Sequence, residues 1–171
     1  VNTAGSVYTT QTSMSGYIWS VSAGGTITAG TGTNSITVTW STTGAKTVSV
    51  NYTNSNGCTA VAPTAYNVTV NPLPVPTITG PGSVCTGTSG VPYTTETGMS
   101  AYTWTISTGG TITAGAGTNT ITVTWNTAGS QTVSVNYTNG SGCTASTATV
   151  YNVTVNPLPV PTITGPASSS V

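Results

Sequence analysis

Along residues 72–156, apolar and polar side chains alternate with period two in short runs, separated by clusters of Gly, Asn and Ser. Such alternation marks half-buried strands, because successive side chains of an extended chain point to opposite faces. The runs predict seven strands, at 76–80, 92–96, 101–107, 110–114, 118–126, 131–138 and 147–155. Tyr102, Trp104 and Ile106 then share one face, as do Ile121, Val123 and Trp125, then Val133, Val135 and Tyr137, and finally Tyr151, Val153 and Val155. These faces are the expected core. The alternate positions, including Thr103, Thr105, Thr120, Thr122, Thr124, Thr132, Ser134, Asn152 and Thr154, make a wet, uncharged outer surface. Seven short strands with turn signals between them predict an all-β chain folded as an Ig-like β-sandwich.

The pattern occurs more than once. The segment YIWSVSAGGTITAGTGTNSITVTW from Tyr17 returns as YTWTISTGGTITAGAGTNTITVTW from Tyr102, an offset of 85 residues. Trp19/Trp104, Trp40/Trp125, Cys58/Cys143 and Tyr66/Tyr151 all keep that offset without a gap. Trp19, Trp40, Trp104, Trp125, Tyr66 and Tyr151 are therefore the candidate structural core. A period this long suits a string of separately folded domains better than a stacked superhelix.

The block NVTVNPLPVPTITGP from Asn67 recurs unchanged from Asn152, with Pro72, Pro74 and Pro76 on alternate positions, as are Pro157, Pro159 and Pro161. Proline at this density favours a stiff, extended chain, which reads as a short linker between domains joined end to end. On that phase, residues 1–71 are a repeat lacking its first strand, 72–156 a complete repeat, and 157–171 a linker with the first strand of a following repeat. Val171 aligns with Val1, as expected of a length cut from a continuous array.

Composition narrows the chemistry. Charged residues are 1% of the 171, namely Lys46 and Glu96, and there is no His. General acid–base and nucleophilic catalysis need titratable groups near the reacting atoms, and none pair up here, so the chain is expected not to be an enzyme. No cofactor or metal is expected, since neither a carboxylate set nor a His/Cys cluster is encoded. One cation cannot neutralise a phosphate backbone, which removes nucleic acid as a partner. No apolar run approaches the ~20 residues of a membrane span, so this segment is not expected to insert in a membrane. Thr makes up about a quarter of the chain, fitting an exposed sheet of high β propensity. Sheet edges without charged gatekeepers favour association with neighbouring identical repeats, lateral or end to end.

The three cysteines admit two readings. A bridge between Cys85 and Cys143 would tie the first strand of the complete repeat to its late loop, with Cys58 bonded to a cysteine upstream of Val1. Such bridges imply an oxidising, extracellular setting. Reduced, buried thiols are the alternative. Ser170 stands where a third copy would place the equivalent of Cys85.

The run PTITGPGSVCTGTSGVPYTT from Pro76, followed by YTWTISTGGTITAGAGTNTITVTW and VSVNYTNGSGC, resembles the PKD-like tandem repeats of giant Bacteroidetes surface and gliding adhesins of the SprB type, exported by type IX secretion. The resemblance covers essentially the whole chain. It implies Ig-like domains, display at the cell surface, and a role as stalk or adhesive fibre, and it supplies no catalytic or ligand residue. The chain departs from better-known PKD sequences, in which an Asp-rich Trp-Asp-Phe-Gly-Asp-Gly run follows the Trp: Trp104 is followed by Thr105, Ile106 and Ser107.

The expected function is that of a structural repeat, a stalk or spacer of a long extracellular adhesin or surface filament in adhesion or gliding motility. Three alternatives compete with it. The array could bind a surface polysaccharide through aromatic side chains, serve as accessory modules of a secreted enzyme, or assemble as filament subunits by donating the surplus terminal strand to the next chain. Ice binding through Thr-x-Thr rows such as Thr111/Thr113 and Thr122/Thr124 conflicts with the twist of strands, because an ice face should be flat.

Overall fold

The computed structural model describes residues 5–168; Val1, Ser170 and Val171, used above for the repeat phase and the cysteine alignment, lie outside them. All regular elements among the described residues are strands, and the chain divides into two compact units, Val1–Leu73 and Pro74–Val171.

The first unit contains β1 (Ser6–Thr9), β2 (Ser15–Val21), β3 (Gly25–Ala29), β4 (Ser35–Trp40), β5 (Gly44–Thr53) and β6 (Thr64–Val70). Its two sheets have the orders β1-β4-β3 and β2-β5-β6. The second unit contains β7 (Ser83–Cys85), β8 (Val91–Thr94), β9 (Ser100–Ile106), β10 (Gly110–Ala114), β11 (Thr120–Trp125), β12 (Gly129–Thr138) and β13 (Thr149–Asn156), in the orders β10-β11-β8 and β7-β13-β12-β9. β8 to β12 repeat β1 to β5 at the 85-residue offset, and β13 repeats β6 with one residue more. β7 has no counterpart among the described residues of the first unit.

Alternation buries the side chains it should. Ile121, Val123, Trp125, Val133, Val135 and Tyr93 are 0% exposed, with Val153 and Val155 at 1%. Together with Trp104 and Val91 they form the core between the sheets of the second unit. The first unit packs a smaller buried set, Ile36, Val38, Trp40 and Val48, with Trp19 partly buried against it. β-branched and aromatic residues dominate both sets because they fit the pleated, half-buried surface of a strand.

The strand bounds follow the expected runs closely, with one correction. The first strand expected at 76–80 forms only an isolated antiparallel bridge, Thr79 to Thr94. The ladder proper lies later, where β7 pairs in parallel with β13 through Thr154↔Ser83, Val155↔Val84 and Asn156↔Cys85. The chain crosses from one sheet to the other at Gly80-Pro81-Gly82, so neither sheet holds this segment for its whole length. Described residues 157–168 form no strand.

Candidate functional site

Within the second unit, the polar chemistry is concentrated where the segment leading into β7 meets the rest of the unit. Glu96, the sole carboxylate side chain of the sequence, accepts from the backbone N–H of Thr77 at 3.1 Å and from the Thr77 hydroxyl. Thr95 Oγ1 adds a third hydrogen bond at 2.7 Å. Burial works to raise the Glu96 pKa, but these donors outweigh it and hold the carboxyl at about 2. Burial, then a hydrogen bond to Glu96 and its negative charge, pushes Tyr137 up to about 12.

Further bonds run along the incoming segment. The Thr149 hydroxyl donates to Pro76 O at 2.6 Å, and Thr79 exchanges two backbone bonds of 2.9 Å with Thr94. The Tyr151 hydroxyl donates to Gly80 O at 2.8 Å and the Tyr93 hydroxyl to Pro81 O at 3.0 Å. Thr154 N–H then donates to Gly82 O, and Thr86 N–H to Asn156 O. Gly80 is required by space: a Cβ there would meet Pro92 O at 2.8 Å and the Tyr93 ring. Ile78 and Val84 pack against the core from this segment. The result is a seam in which one segment closes both sheets.

The first unit shows the same seam without its strand. Tyr8, Tyr66, Thr64, Thr69 and Gln11 occupy the positions of Tyr93, Tyr151, Thr149, Thr154 and Glu96. No described strand lies on them. A groove of about 490 Å³ opens there, lined by Tyr8, Gln11, Trp19, Val48, Tyr52 and Tyr66 among others. Periodicity does not reveal this groove, over which no described strand passes.

The groove explains the correction at Tyr66. Alternation places it inward, yet it is 65% exposed, with no described residue over it in the way that Gly80 and Pro81 lie over Tyr151, which is half-buried. The other core candidates lie inside. Trp40 and Trp104 are 5% and 6% exposed, Trp125 is fully buried, and Trp19 is half-buried. The four indole N–H groups are bonded within the chain: Trp19 to Thr33 O, Trp104 to Thr118 O, Trp40 to the Tyr8 hydroxyl and Trp125 to the Tyr93 hydroxyl.

The expected Cys85–Cys143 bridge is also corrected. All three cysteines are free. Cys85 lies opposite Asn156, at the far end of β13, whereas Cys143 sits in the loop that precedes β13, next to the Thr138–Thr144 bridge. The length of β13 separates them, about 23 Å at ~3.3 Å per residue. A disulfide needs Cα atoms within about 7 Å. The argument for an oxidising setting that rested on this bridge goes with it. Among the described residues no group of three or more His, Cys, Asp or Glu could hold a metal ion.

A family model described as the PKD-like domain matches residues 1–68 and again 71–153. The chain belongs to the PKD-like domain family. Each match spans one unit, so the sandwiches described above are tandem PKD-like modules, and the seam is where the second module takes in its own first strand. No curated protein matches the chain. Among solved structures, the chain is similar to domains 1–6 of the surface layer protein SbsC, at 17% identity and a TM-score of 0.38, covering 84% of this chain and 20% of that one. The D00-D0 domain of intimin matches at 17% identity and a TM-score of 0.40, covering 91% of this chain and 95% of that one. The chain thus spans about a fifth of the SbsC structure.

Proposed function

We propose that this chain is a spacer segment of a long extracellular repeat array, the stalk of a surface adhesin or surface filament serving adhesion or gliding motility. The observation that carries the reading is the parallel pairing of the first and last strands of the complete module, β7 with β13. The chain enters beside Thr149, where β13 begins, and leaves after Asn156, where β13 ends. Tension between the two ends therefore pulls β7 and β13 in opposite directions along their length. Every bond of the ladder is loaded together in shear, instead of one bond after another. Membership of a family of tandem modules and the proline-dense linkers support the same reading, as does the use of Glu96 to hold Thr77 at the point of entry. Placement at the cell surface and export by the type IX route follow from the resemblance to gliding adhesins. A surface polysaccharide gains no support from the indoles, whose N–H groups are all bonded internally.

The test is single-molecule stretching of the 171-residue chain held at both termini. The second module is expected to yield in one discrete step that releases about 85 residues, close to 300 Å of contour at ~3.5 Å per residue less the folded length. Gradual extension at low force, with no discrete step, would defeat the spacer reading.

A further inference from the structure

The loop that leaves β12 holds an asparagine side chain in a cradle of backbone donors. Asn139 Oδ1 accepts from the N–H groups of Ser141 and Cys143, each at 3.0 Å. To reach both, the carboxamide curls back over the peptide that joins it to Gly140, in an Asx turn closed by Asn139 N–H to Cys143 O and Gly142 N–H to Asn139 O, both 2.9 Å. Gly140, Ser141 and Gly142 are exposed. The Gly140 N–H makes no hydrogen bond among the described residues, and a Cβ at Gly140 would meet nothing within 4 Å. The first module separates these features. Its cradle holds Asn54, whose Oδ1 accepts from Asn56 N–H and Cys58 N–H at 3.0 Å, but the residue after Asn54 is Ser55. Its Asn-Gly step lies further on, at Asn56-Gly57, where the Gly57 N–H is engaged to Asn54 O at 3.0 Å. Among the described residues, a cradled carboxamide and an unengaged glycine nitrogen meet only at Asn139.

We infer that Asn139 is a self-modification site, at which the loop converts its own amide to a carboxylate with water as the co-reactant. The Gly140 amide gives its proton to hydroxide, and its nitrogen attacks Asn139 Cγ. Glycine suits this step because no side chain crowds the nitrogen. The new N–Cγ bond pushes an electron pair onto Oδ1, where the N–H groups of Ser141 and Cys143 hold the oxyanion as it forms. Collapse of that intermediate breaks the Cγ–Nδ2 bond. The leaving nitrogen takes a proton from water, which restores the hydroxide, and departs as ammonia, so a cyclic imide remains. Water then adds at one of the two imide carbonyls and opens the ring. Opening at Cγ leaves an aspartate, whose carboxylate accepts from the same two N–H groups more strongly than the amide did, so this product keeps the turn. Opening at the main-chain carbonyl leaves an isoaspartyl link, which lengthens the backbone and disrupts the turn beside the Thr138–Thr144 bridge. Either product adds a negative charge to a chain whose only charged side chains are Lys46 and Glu96.

The test is incubation of the 171-residue chain at mildly alkaline pH, followed by isoelectric focusing and by mass spectrometry of fragments that carry Asn139 or Asn56. An acidic form is expected to grow with time, with the amide-to-acid mass change located at Asn139. In the folded chain Asn139 is expected to react roughly tenfold faster than Asn56, the effect of the hydrogen bond that engages the Gly57 N–H. In denaturant, where neither loop persists, the two Asn-Gly steps are expected to react at comparable rates. Gly140→Ala is expected to suppress the reaction at Asn139 and to melt as the parent does, since its Cβ enters open space and Gly140 does not hold a positive φ. Equal folded-state rates at Asn139 and Asn56 overturn the inference. So does a rate at Asn139 that is lower in the folded chain than in denaturant, or one that Gly140→Ala leaves unchanged.

Discussion

Removal of one hydroxyl, Tyr93→Phe, should destabilise the second module well beyond the same change in the first. Tyr93 and Trp125 are both 0% exposed, and their rings pack edge to face with centroids 6.4 Å apart, a contact that Phe preserves. What is lost is the hydroxyl that accepts from Trp125 Nε1 at 3.2 Å and donates to Pro81 O at 3.0 Å. The Trp125 N–H is then buried with no partner, which costs ~1–3 kcal/mol. The Pro81 carbonyl belongs to an exposed residue, so water replaces its partner and the added loss stays within ~1 kcal/mol. The sum is about 2–3 kcal/mol, a large share of the ~5–15 kcal/mol that holds a domain together. For a module of this size it lowers Tm by about 10–20 °C. Tyr8→Phe is the control within the same chain: Trp40 bonds to Tyr8 at 3.1 Å, but Tyr8 is half-buried beside the open groove, where water can take over. Its cost should stay near ~1 kcal/mol. Scanning calorimetry of the full chain resolves the two cases. If Tyr93→Phe shifts its transition no further than Tyr8→Phe shifts the other, the seam does not act as argued.

Two further outcomes follow from differences between the modules. Glu96 titrates at about 2 when folded against 4.5 as a free side chain, so its contribution is complete above pH ~4.5 and is lost as pH falls toward 2; Glu96→Gln, which copies Gln11 of the first module, should flatten that acid slope in thermal melts between pH 7 and 2, and an unchanged slope would count against the Thr77 clamp. Ala101 holds φ of 51° where the first module has Gly16 at 60°; relief of ~1–2 kcal/mol of left-handed strain, less ~0.4–1 kcal/mol of added chain entropy, makes Ala101→Gly stabilising by up to about 1.5 kcal/mol in urea unfolding, and a loss of stability would show that the strain is absent.

The sequence by itself determines the repeat, the strand runs and the inward faces, because each is written locally: a fixed offset of 85 residues, period-two alternation, and Gly or Asn at the breaks. Ile121, Val123 and Trp125 are legible as core for this reason. Tertiary structure alone decides which segment closes the sandwich. The ladder at Ser83–Cys85 depends on Thr154 to Asn156, some seventy residues later, so nothing around Pro76 announces that the strand will switch sheets. The same distance effect separates Cys85 from Cys143, which spacing had suggested could be joined. It also divides Tyr66 from Tyr151, which are followed by the same run NVTVNP and point the same way by alternation. Burial belongs to the element that covers a residue as much as to the residue, and the cover for Tyr66 is not part of its own strand.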